Sequence, residues 1–154
     1  MPDNKKELQQ ELIQRITVAY ASPAAAADPK ETQKTLRRLH QAVIEEGPAF
    51  LNGRELQVFR SRHVDADKPP YDVLAAELGL AEEKVKAIDA KAIALIANAF
   101  LDGSENFNGV GHRFYEILLS LDASQLRAVA EALKAREDVE GQVVKALVRN
   151  AIGQ

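Results

Sequence analysis

From Leu8 to Ile152, apolar residues return every three or four positions rather than every second one. Side chains at that spacing share one face of an α-helix, whereas a half-buried strand needs a period of two. The period therefore predicts an all-α fold, a helical bundle. Leu8, Leu12, Ile16 and Ala19 or Tyr20 make the stripe of a first helix from Asp3 to Ala21, which ends before Pro23. "SPAAAADP" is a connector, and Asp28 followed by Pro29 starts a second helix, because aspartate can cap and proline lacks an N–H that the first turn leaves unpaired anyway. This helix turns Leu36, Leu39, Val43 and Ile44 inward and stops near Glu46, at Gly47 and Pro48.

"LNGRELQVFRSRHV" predicts a third helix, with Asn52 and Glu55 at capping-box spacing and Leu56 and Phe59 as an inward pair. "DADKPP" breaks it. Tyr71 to Leu78 is a short fourth helix, Gly79 a turn, and Ala81 to about Leu101 a long fifth helix. "DGSENFNGVG" is a loop. Gly111 to Leu121 follows as a helix, Asp122 with Gln125 restarts one to about Arg136, and Val139 to Ile152 is the last. The fifth helix carries two apolar stripes, Val85–Ile88–Ala92–Leu95 and Ile93–Ile96–Phe100, which predicts that its second half is covered on two sides. Three parts result: an N-terminal helical pair over 1–48, a central unit over 49–101 and a C-terminal lobe over 102–154, which can pack as one domain.

Several function classes lack the residues they require. With no cysteine among 154 residues there is no disulfide framework, thiol nucleophile or cysteine zinc site. His40, His63 and His112 are scattered, so neither a metal nor a cofactor is expected. Neighbouring carboxylates, Glu45 with Glu46 and Glu82 with Glu83, point apart on a helix and make no acid–base pair. "NGVGH" lacks the strand and lysine of a phosphate-binding loop, and Phe107, Phe114 and Tyr115 are expected as core contacts. No enzyme is expected. A net charge of -3 gives no overall attraction to nucleic acid or to an anionic membrane, so any DNA contact must be local. The polar start is neither signal peptide nor membrane span, and a soluble cytoplasmic protein is expected.

Ala75, Gly79 and Val85 carry the most specific spacing. A small residue in one helix, glycine four positions on and a branched apolar residue six further on are what a helix-turn-helix needs for close packing, a left-handed turn and a plugged angle. The stretch from Leu51 to Ile96 resembles the C-terminal promoter-reading region, region 4, of bacterial RNA polymerase sigma factors, most closely the heat-shock type. Leu51, Arg54 or Glu55, then Arg60, Arg62 and Val64 follow the family's arginine-rich first segment, and Asp65 to Asp67 its acidic linker. Tyr71 to Leu80 tracks the helix and turn, and Glu82 to Asp89 the recognition helix. The resemblance covers roughly a third of the chain.

It implies a transcription-associated protein whose contact residues are Arg54, Arg60, Arg62, His63, Glu82, Glu83, Lys84, Lys86 and Ala87. The reading positions depart from the family. Ala81 stands where a capping hydroxyl belongs, a loss of about 1 kcal/mol. Glu82 replaces a basic residue, and Ala87 a glutamine able to read a base edge. The promoter-melting and polymerase-gripping regions of a sigma factor do not fit before Leu51, so a complete sigma factor is not expected. Two functions stay open. The corner can touch duplex DNA weakly and non-specifically through phosphates, or it can serve as a protein-binding or adaptor surface for RNA polymerase, a sigma-binding regulator or a second copy of this chain. For Lys30, Lys34, Arg37 and Arg38 the plain alternative is a solvated helix face.

Overall fold

A computed structural model describes residues 4–22 and 26–153. Its helices are α1 (Lys5–Ala21), α2 (Pro29–Glu46), α3 (Gly53–Phe59), α4 (Tyr71–Leu78), α5 (Glu82–Leu101), α6 (His112–Leu119), α7 (Ala123–Lys134) and α8 (Val139–Ile152). Short 3-10 turns occupy Gly47–Phe50 and Glu105–Phe107, and a π-helical turn, Arg60–Val64, extends α3. The described residues contain no strand. Positions 3 and 23–25 of the expected first helix and connector lie outside the described residues.

Local chemistry sets most helix starts. Asp28 accepts from the Lys30 amide at 2.9 Å and Asp122 from the Gln125 amide at 2.8 Å, as their positions in the sequence predict. Asn4 caps α1 and Asp138 caps α8 in the same way. Asn52 differs from the expected capping box: its side chain makes no capping bond, and Glu55 turns to Lys91 at 3.2 Å instead of reaching back. Gly53, the next residue, sits at φ 53°, which turns the first amides of α3 away from the course an N-capping side chain requires.

Two apolar clusters form. The larger joins Leu8, Leu12 and Ile16 of α1 to Leu39 and Val43 of α2, the second half of α5, and the inner faces of α6, α7 and α8. The smaller holds Val58, Leu74, Ala75 and Val85, with Tyr71, Leu78, Leu80 and Ile88 packed around it. α5 belongs to both, its first half to the small cluster and its second to the large one, and Leu95 of the first expected stripe is 39% exposed, so that stripe is covered only as far as Ala92.

The end of α5 is buried, and its last carbonyls must find donors there. Lys5 Nζ donates to the Ala99 carbonyl at 2.7 Å, Tyr115 Oη to Phe100 at 2.9 Å and Gln9 Nε2 to Leu101 at 2.8 Å. The Asp102 amide takes Asn98 at 2.9 Å. Lys5 is fully buried as a result, and its ammonium lies against the negative end of the helix dipole.

Candidate functional site

The corner between α4 and α5 is built from the residues whose spacing singles it out. Gly79 has φ 67° and ψ 33°, in the left-handed region where a Cβ is strained. The Leu80 amide returns to the Ala75 carbonyl at 3.0 Å and the Gly79 amide to Ala76 at 3.4 Å, the paired closing bonds of a Schellman end. Ala75 and Val85 are buried together in the small cluster, with Leu80 packed over them. No side chain caps α5 at Ala81, and Glu82 and Glu83 in its first turn complement the positive end of its dipole instead.

With Val85, Asp89 and Ala92 facing inward, Glu82, Glu83, Lys84, Lys86, Ala87 and Ala90 remain exposed along α5. Lys86 lies 3.9 Å from Glu82, and both side chains are solvated. Arg54 is exposed at the start of α3 and bonds Gln57 at 3.2 Å. It shares an open groove with Lys84, Ala87 and Lys91, and Arg60 is exposed on the π-helical turn. Thus Arg54, Lys84 and Ala87 are brought together, whereas Arg62 and His63 are turned toward the interior.

These two residues belong to a part-buried polar cluster around one buried carboxylate. Asp89, 1% exposed, accepts from Tyr71 Oη at 2.6 Å and lies 2.8 Å from His63 Nε2. The Arg62 guanidinium lies over the Tyr71 ring at 4.1 Å, and its Nη1 donates to the Pro69 carbonyl at 2.9 Å. His63 also packs on Phe59, with ring centroids 4.8 Å apart. Burial, followed by the hydrogen bond to Asp89, pushes the Tyr71 hydroxyl above its ordinary range. The cluster ties the π-helical turn, the first residue of α4 and the middle of α5 into one unit beneath the exposed face.

A second histidine–carboxylate pair lies nearby. His40 Nδ1 is 3.0 Å from Oε2 of Glu140, whose side chain is 2% exposed. This hydrogen bond raises the pKa of His40. Arg136 binds Asp138 through Nε at 2.9 Å and approaches Glu140 at 3.7 Å. Sequence spacing does not reveal either pair, since their partners lie far apart in the chain. Asp89 alone leaves a local trace, a carboxylate on the inward stripe of an amphipathic helix.

Among the described residues, no three His, Asp or Glu side chains are placed to hold a metal ion. No described helix is long and apolar enough to cross a membrane. No protein-family profile, curated protein or solved structure matches the chain.

Proposed function

We propose that this is a non-catalytic, transcription-associated regulatory protein whose sigma-like α4–α5 corner docks on a protein surface of the transcription machinery. One observation carries this reading: the exposed stripe of α5 opens with Glu82 and Glu83 and continues through Ala87 and Ala90. Two carboxylates at the entry to a recognition helix repel phosphates, and alanine offers a base edge no hydrogen bond. Small side chains on an exposed helix face suit close approach by another protein. The partner by resemblance is RNA polymerase or a regulator that captures sigma factors.

A second reading has its own support. Arg54, Lys84 and Lys91 share one groove beside α5, and with Arg60 they could meet the phosphates of duplex DNA without reading sequence.

The two readings separate in one experiment. Fluorescence anisotropy is recorded with labelled promoter-like duplex at about 50 and about 200 mM salt, where four phosphate contacts predict roughly a 150-fold loss of affinity. The same measurement is made with labelled protein and purified bacterial core polymerase. Docking on the machinery predicts saturable polymerase binding that Ala87→Arg weakens, with no duplex binding. Salt-steep duplex binding without polymerase binding establishes the second reading. Absence of both removes transcription from the account.

A further inference from the structure

We propose that the cleft between the π-helical turn and the start of α8 is a binding site for a small, multiply charged anion of the phosphate class. The cleft, about 270 Å³, is walled by His40 of α2, by Arg62 and His63 of the π-helical turn, and by the Arg136–Glu140 segment. Past His63, Ile93 and Asp138, which line both parts, it continues into a wider recess of about 620 Å³ that reaches Lys86 and Lys145.

Its charges are unequally satisfied. The carboxylate of Asp89 is held by Tyr71 and His63, and that of Glu140 by His40. Asp138 accepts from Arg136 and from the Gly141 amide, while Glu137, which lines the wider recess, makes no ion pair among the described residues. The cations are less committed. Lys68 and Lys145 make no ion pair among the described residues, and Arg62 bonds a carbonyl rather than a carboxylate. Arg62 Nε is buried and has no partner among the described residues. A buried donor without an acceptor is unfavourable, and an oxyanion drawn against the guanidinium would relieve it.

The histidines point the same way. His40 commits Nδ1 and His63 commits Nε2 to a buried carboxylate, which orients each ring, and with both ring nitrogens protonated the other N–H of each is left to donate to an oxyanion. A metal cation entering the cleft would be repelled by Arg62, Lys68 and Lys145, whereas an anion gains from all three. Spread along two connected recesses, these cations favour a ligand with more than one negative group. Of the exposed α5 residues, Lys86 and Ala90 line the wider recess, and Glu82, Glu83, Lys84 and Ala87 line neither part. The inference therefore stands whether or not the corner docks on the transcription machinery.

The test is heteronuclear NMR of the imidazole rings during titration of the full chain with sodium pyrophosphate to about 10 mM, well beyond a millimolar dissociation constant. The His40 and His63 signals should move along one saturable curve, and His112, outside the cleft, should not. Lys68→Ala with Lys145→Ala, both at exposed positions, should weaken binding by about tenfold or more while circular dichroism stays unchanged. The site is refuted if no saturable shift appears, if His112 moves in parallel, if sodium chloride at matched ionic strength reproduces the shifts, or if the double variant binds as tightly as the parent.

Discussion

Asp89 shows how much a single buried carboxylate can organise. It is 1% exposed and holds both the Tyr71 hydroxyl and a His63 ring nitrogen, so Asp89→Ala leaves two part-buried polar groups without their acceptor. Each stranded group costs about 1–3 kcal/mol, and a loss of about 2–4 kcal/mol is expected in urea unfolding. A loss below about 0.5 kcal/mol, the range of an ordinary surface change, would mean that water replaces the carboxylate. Lys5 predicts a pH effect of unusual sign. Desolvation outweighs the attraction of Asp102 and Glu46, and the folded pKa falls from 10.5 to about 8. Between those values the unfolded chain binds more protons than the folded one, so stability rises with pH across that window. Burial of Tyr115, pushed up from 10.0 to about 12, acts oppositely, but only above the lower of those values. The stability of the parent relative to Lys5→Met should therefore increase from pH ~8 to pH ~10 in urea titrations. A flat or falling difference would show that Lys5 keeps its ordinary affinity for protons in the fold.

The α4–α5 corner rests on one backbone conformation and one missing side chain. Gly79 lies at φ 67° with open space around an added Cβ, so Gly79→Ala tests the left-handed turn without a steric clash. A loss of about 1–2 kcal/mol is expected. Ala81→Ser should restore the absent cap and add about 1 kcal/mol to thermal or urea stability. If serine adds nothing, Glu82 and Glu83 already satisfy that helix end. The corner was legible from sequence because each of its requirements is local: a small residue, a glycine and a branched residue at fixed offsets. The caps at Asp28 and Asp122 were legible for the same reason. Asn52 carried the same signal, and the positive φ of Gly53 diverted it. Lys5 and Glu140 could not be placed this way, since a charged side chain is buried only when the chain returns a partner from a distance. Ala99 lies 94 residues from Lys5, and Glu140 lies 100 from His40. The inward turn of Arg62 and His63 escaped for a related reason: an arginine-rich run looks solvated until an aromatic ring and a buried acid are set beside it.

α5 joins a large apolar core to a small one, and the two need not open together. The small cluster has only Val58, Leu74, Ala75 and Val85 fully inside, so the corner has little burial of its own against local unfolding. Leu74 and Leu12 are 2% and 0% exposed, and truncating either to alanine removes the same atoms, at about 2–5 kcal/mol. Their effects should differ in reach. Leu74→Ala should speed amide hydrogen exchange in α4 and the first half of α5 while α1 and α8 stay protected. Leu12→Ala, which contributes to the core that α1 shares with α6, α7 and α8, should raise exchange throughout. A macromolecule that docks on the exposed stripe of α5 binds only the closed corner, so the open fraction directly lowers its apparent affinity. Leu74→Ala should consequently weaken polymerase or duplex binding while most of the chain stays folded. Equal acceleration of exchange by both variants in all helices would show one cooperative unit, and the corner would then have no separate equilibrium for a partner to bias.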